Sequence, residues 1–169
     1  MKKLVLPFII IFVAVMRLIP HPPNFTPIIA ISIYAGIKFN NKYFAILIPI
    51  FSMVISDVFI GFHSNMLAVY FCIVINVFIG LFFAKKFTLL KYMSLSFLGA
   101  CIFFIVTNFS VWILSDMYPA SLEGLMSCYI LAIPFFQNTL SSSLLFGCII
   151  YYATIIFDRY LDKKFQFIE

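Results

Sequence analysis

Six stretches of this chain are too apolar to rest in water: residues 4–19, 28–37, 43–62, 66–84, 92–114 and 125–157. A bilayer's hydrocarbon core is about 30 Å thick, and about twenty helical residues cross it at 1.5 Å each. In lipid a helix satisfies its own backbone groups, so runs of this length read as spanning helices. With 64% hydrophobic and 10% charged residues, and a mean hydropathy of +1.14, the chain is excluded from the soluble class. The expected fold is all-α: one polytopic bundle over 1–169 with six transmembrane spans, near 4–19, 26–37, 43–62, 66–84, 92–114 and 135–157. The 23 Phe accompany many Ile, Lys and Asn, which suggests an AT-rich coding bias, so single phenylalanines carry no functional signal.

Basic residues set the orientation. Lys2, Lys3, Lys38, Lys42, Lys85, Lys86, Lys91, Arg159, Lys163 and Lys164 all fall at one end of the alternating spans. By the positive-inside rule that end is cytoplasmic, both termini point inward, and a bacterial inner membrane is the expected location. The net charge of +5 is therefore a topology signal in short clusters and not a nucleic-acid footprint. Arg17 is the exception among eleven Lys and Arg residues. The outer end collects Arg17, His21, Asn24, Asp57, His63, Asn65, Asp116, Tyr118 and Glu123. A lipid-filling protein has no need of that segregation. The start, Met1-Lys2-Lys3 before an apolar run, mimics a signal peptide, but no small-x-small site follows before Arg17.

The segment Arg17-Leu18-Ile19-Pro20-His21-Pro22-Pro23-Asn24-Phe25-Thr26-Pro27 concentrates the polar chemistry. Its four prolines forbid a continuous helix and push preceding residues towards extended conformations, so a stiff turn is expected. Thr26 before Pro27 reads as an N-cap with proline at the first helical position. The helix it opens, to about residue 37, covers roughly 18 Å. Its start must therefore lie below the membrane surface, in protein or against a wet cavity. Such a start offers unpaired N–H groups and a positive dipole end to polar or anionic solute groups.

The last run is too long for one span, and Pro134 divides it. A short interfacial or re-entrant helix over 119–132 is expected, followed by a span over 135–157. Small residues at four-residue spacing (Ala68, Cys72, Asn76, Gly80, Ala84, and again Thr139, Ser143, Gly147) predict close helix packing. A third row, Ala100, Phe104, Asn108, Trp112 and Asp116, is a candidate cavity lining. The four cysteines sit within apolar runs, without metal or redox spacing, and read as packers.

Arg17 snorkels to headgroups or takes a partner. The obvious partner is Asp57, whose carboxylate is costly at its depth unless paired or hydrated. An Arg17 to Asp57 ion pair holding the turn and direct solute contact are both open. Two histidines with a carboxylate permit metal capture, without a recognised ligand motif. Asn24 suits the turn itself. Trp112, Tyr118 and Tyr129 suit a flat ligand or a membrane-boundary belt. Gln137 and Asn138 are two adjacent amides beside a helix break. The candidate solute contacts are thus His21, Asn24, Asp57, His63, Asn108, Trp112, Gln137 and Asn138, with Arg17 as organiser and no cofactor. No nucleophile elbow, zinc helix, carboxylate pair or phosphate loop is present, so an enzyme is disfavoured and the chain supplies no ATP-driven step of its own. A scaffold without a ligand is the third class.

The first segment, together with Ser56-Asp57, Gly61-Phe62-His63, Asn108 with Trp112, Met117-Tyr118-Pro119 and the stretch Ala132 to Thr139, resembles an uncharacterised bacterial family of small inner-membrane proteins. In size, six spans and inward termini the chain also resembles the S components of energy-coupling-factor transporters. That likeness implies a vitamin-like or metal solute bound at the outer side, closed by the loop after the first span and the loop before the last. It further implies a transmembrane coupling protein and two cytoplasmic ATPases. Small residues spaced by four dock the coupling protein in that family; here they fall at Ser32 and Gly36 of the second span and not in the first.

Overall fold

The structure, a computed structural model, describes residues 11–83 and 87–166, with side chains to residue 160. The described residues are all helix and connecting loop: α1 (residues 11–18), α2 (Ile28–Lys38), α3 (Lys42–Ile60), α4 (Met66–Phe83), α5 (Leu89–Leu114), α6 (Leu122–Leu131) and α7 (Ile133–Gln166). Four are long and apolar enough to cross a membrane: α3, α4, α5 and α7, the last over Ile133–Tyr160. Their large apolar side chains, such as Phe59, Leu67, Phe82 and Leu90, face outward, as lipid-facing helices require. The protein is a helical membrane bundle. The expected six included the span over 4–19, whose residues up to 10 lie outside the described residues. It also included 26–37, which is the 11-residue α2, too short for a bilayer. Lys2, Lys3, Lys85 and Lys86 lie outside the described residues as well.

The short helix α2 is the hub. Ile28, Ile29, Ala30, Ile31, Ser32, Ile33, Ala35 and Gly36 are all buried, and α3, α4, α5 and α7 pack around them. A helix apolar on every side is stable only where protein covers every side. Its closest neighbour is α4. A Cβ on Gly36 would fall 2.1 Å from the Val77 carbonyl oxygen, and one on Gly80 would fall 2.2 Å from that of Ile33. Only hydrogen fits there. The two small-residue rows thus meet each other, and Ser32 and Gly36 are consumed inside the chain. The Thr139, Ser143 and Gly147 row also packs inward, with Thr139 and Ser143 buried, but Gly147 faces the Met93 side chain of α5 and not a backbone.

The helices α2 and α4 run in the same direction and meet at Gly36 and Gly80. From there back to Ile28 is about 12 Å, and back to Met66 about 21 Å. So α2 begins about 9 Å short of the bundle end, as its length predicts. Its N-cap differs from expectation. Pro27, in helical conformation at φ −76°, holds the cap position and its carbonyl takes the first helical bond, from Ile31 N–H at 2.9 Å. Thr26 makes no side-chain cap, because the turn before it is closed by backbone bonds from Phe25 to Pro22 (3.0 Å) and from Thr26 to Asn24 (3.1 Å).

The last two helices also shift from their expected bounds. Ser121 caps α6 by accepting from Gly124 N–H at 3.2 Å, so that helix starts at Leu122 and not at Pro119. Pro134 does separate α6 from α7, but it sits in the first turn of α7. There a missing N–H costs nothing. The final helix therefore starts at Ile133, two residues earlier than 135, and continues to Gln166.

Candidate functional site

Above the recessed start of α2 lies a cavity of about 630 Å³, walled by α1, α3, α4, α5, α6 and α7. Three non-helical segments line it: the proline turn, through His21, Pro23, Asn24 and Thr26, the loop between α3 and α4, through His63 and Asn65, and the loop after α5, through Met117 and Tyr118. Pro23 and Asn24 occupy the two central positions of a turn whose ends are Pro22 and Phe25. Asn24 has φ +63°, the left-handed geometry that Asn tolerates at the third place of a type II turn. Asn138 Nδ2 on α7 donates to Pro23 O at 3.0 Å, and Phe25 meets Phe146 edge to face at 6.0 Å. Both contacts pin the corner to α7.

The floor holds a buried ionic network. Arg17 Nη1 donates to Asp57 Oδ1 at 2.6 Å, to Ser56 Oγ and to Met53 O at 3.3 Å. Tyr70 O–H donates to Asp57 Oδ2 at 2.6 Å. Asp57 is fully buried, so each oxygen needs a donor, and it has one from α1 and one from α4. The pair ties α1, α3 and α4 together where α3 ends. The Asp57 carbonyl also accepts from Gly61 N–H at 2.8 Å, where φ of +103° turns the chain out of the helix.

Of the nine residues singled out from sequence, five lie on the cavity wall: Arg17, His21, Asn24, His63 and Asn108. Asp57 does not; it stands behind Arg17. Trp112 is turned to the α5–α6 loop, donating from Nε1 to Pro119 O at 3.0 Å, and Asn138 is engaged with Pro23. Gln137 is exposed and off the wall. The third small-residue row contributes Asn108 alone. The wall of α5 is instead Phe103, Thr107, Asn108 and Val111, one residue round the helix, because α6 and α7 cover the expected face. Phe104 packs on Tyr129 and Phe136, and Tyr129 O–H donates to Ile105 O at 2.7 Å.

Sequence reasoning did not nominate Tyr70, Asn65, Thr107, Thr139 or Cys128 for the site, although it placed Asn65 at the outer end, Thr139 in a packing row and Cys128 among the packers. Tyr70 was findable in principle, since a buried carboxylate with one arginine still lacks a donor for its second oxygen. Nothing in the local pattern of the others points to a cavity. Thr107, Asn108 and Thr139 each donate to the carbonyl four residues earlier, at 2.7, 2.7 and 2.9 Å, which leaves their oxygens as acceptors. His21 Nδ1 lies 2.6 Å from Ile19 O, and a carbonyl only accepts, so Nδ1 carries the proton and Nε2 is free. Cys128, also on the wall, is buried and its thiol is pushed above the usual range by that burial. Among the described residues no three His, Cys, Asp or Glu side chains converge as metal ligands. His21 and His63 share the cavity, but the carboxylate that would complete a metal set is already paired.

Nearly the whole sequence, residues 1–164, matches the family model of DUF6580, a family of unknown function. The chain belongs to that family. No curated protein and no solved structure matches it, an S component included.

Proposed function

We propose that this DUF6580 chain is the solute-binding membrane subunit of an importer for a small micronutrient. The supporting observation is the cavity itself: a hollow of about 630 Å³ over a recessed helix start, lined by three irregular segments and carrying five of the nine polar residues nominated from sequence. Volumes of this order suit small ligands. The distribution of Lys and Arg supports an outward-facing cavity and inward termini. The likeness to S components adds a coupling protein and cytoplasmic ATPases. Since Ser32 and Gly36 are buried against α4, such a coupling protein would dock elsewhere on the chain.

Native mass spectrometry of the protein extracted from its membrane, without added ligand, tests the reading. A copurifying small molecule that is lost in a cavity-filling Val111→Trp variant supports it. An empty wild-type protein, and unchanged solute uptake by cells carrying the filled variant, overturns it. A scaffold without a ligand is favoured by the Arg17, Asp57 and Tyr70 network, which locks three helices without help from any solute. That reading expects substitutions on the cavity wall to be tolerated while substitutions in the network are not.

A further inference from the structure

Resting on the reading of the cavity as a solute site, we propose that the solute is a small organic anion that also carries a hydroxyl or amide N–H, with Arg17 as the specificity-determining contact. Charge is the first argument. Among the described residues no Asp or Glu lines the cavity, and Asp57, the carboxylate that holds Arg17, is fully buried with both oxygens taken. A metal ion or organic amine would find no carboxylate on the wall to pair with, since Asp57 is already engaged by Arg17 and Tyr70.

Donor inventory is the second. Arg17 lines the cavity, and within the described residues only its Nη1 is hydrogen-bonded; Nε and Nη2 have no protein partner. A guanidinium presents its donors in a planar fork that matches a carboxylate. Because Asp57 already balances the Arg17 charge, Arg17 acts mainly through these spare N–H groups. The recessed start of α2 adds to it: Ile28 and Ile29 line the cavity, and the first helical bond is made only by Ile31.

The third argument is an orphan. Asn65 lines the same cavity, and its Oδ1 is buried with no partner. Buried oxygens are rarely left unpaired, and a ligand donor satisfies this one. Thr107, Asn108 and Thr139 offer further acceptor oxygens, while Phe103, Val111 and Phe135 supply an apolar wall for the body of the molecule.

The test uses the full chain in nanodiscs of phosphatidylcholine, titrated with para-hydroxyphenylacetate, its amide and tyramine, and followed by melting temperature and native mass spectrometry. The carboxylate is expected to bind about tenfold or more tightly than the amide, the margin of a charge-assisted hydrogen bond, and tyramine not at all. An R17Q/D57N double variant replaces the buried pair with two neutral hydrogen-bonding groups, so the fold carries no unpaired charge. It is expected to melt near the wild type and to lose the preference for carboxylate over amide. Asn65→Leu is expected to lose the preference for para-hydroxyphenylacetate over phenylacetate.

Tyramine bound as tightly as the carboxylate overturns the anion class while leaving the cavity a binding site. A carboxylate preference that survives R17Q/D57N overturns the role of Arg17. No binding of any probe overturns the proposal, and the copurification result then decides the cavity reading by itself. If phosphatidylglycerol added to the nanodisc occupies the site through Arg17 and excludes the soluble probes, the anion is a lipid headgroup and the proposal of a solute falls.

Discussion

Adding one methyl group at Gly80 tests the central packing claim. A Cβ there falls 2.2 Å from Ile33 O and 3.0 Å from its carbonyl carbon, where ordinary contacts begin at 3.4 Å. The obstacle is backbone, so α2 and α4 must separate by about 1 Å, the shortfall between those distances. A gap of that size forfeits a quarter to a half of each contact's attraction along the interface. Overpacking of this kind costs about 1–3 kcal/mol. Better helix propensity returns at most about 1 kcal/mol. The net expectation for Gly80→Ala is a loss of about 1–2 kcal/mol. Gly147→Ala is the control: its Cβ meets Met93 Cε at 2.5 Å, the far end of a flexible side chain that swings aside. That variant should change stability by less than about 1 kcal/mol in either direction. Unfolding by sodium dodecyl sulfate in mixed micelles, followed by circular dichroism, measures both. Equal losses for the two variants would refute the backbone-contact argument.

Tyr70→Phe removes one of two donors to a fully buried carboxylate and should cost about 1–3 kcal/mol in the same unfolding assay; Asp57→Ala, which strands Arg17, should cost about 3–5 kcal/mol. Asn138→Ala loses the bond to Pro23 O and should lower stability by only about 1 kcal/mol, while amide exchange across residues 21–26 accelerates, a change absent in Gln137→Ala. Since burial raises the Cys128 thiol, its thiolate fraction near neutral pH is below that of free cysteine. Maleimide labelling at Cys128 should therefore be slow at pH 7 and climb as pH rises; labelling as fast as free cysteine at neutral pH contradicts the burial.

How far the site was legible depends on how far each residue's constraint is local. The Arg17 and Asp57 pair was readable because an ionised group below a membrane surface has few affordable states, and the geometry joins them at 2.6 Å. The proline corner was readable because proline restricts its own backbone and its neighbour's. Trp112 and Gln137 lie off the cavity wall because their positions near a helix end or break fix a height in the bundle but not a direction. The wall on α5 was displaced by one residue, a turn of about 100° about the helix, since α6 and α7 choose which face they cover.

Sequence alone determined the environment and the secondary structure: apolar runs of spanning length belong in lipid, where the backbone must bond within its own helix. It also limited α2 to roughly 18 Å, which puts its start at depth, although the same stretch was counted among the six spans. Tertiary structure decided the partnerships. Glycines 44 residues apart, Gly36 and Gly80, meet at backbone distance and seat α2 at the centre of the bundle. Tyr70 supplies the second donor that Asp57 needs, and the polar residues divide between cavity wall and structural support. In a bilayer apolar contact does not prefer protein to lipid. What selects one arrangement of these helices is shape at the glycines and hydrogen bonding at the few buried polar groups, and both depend on residues far apart in the chain.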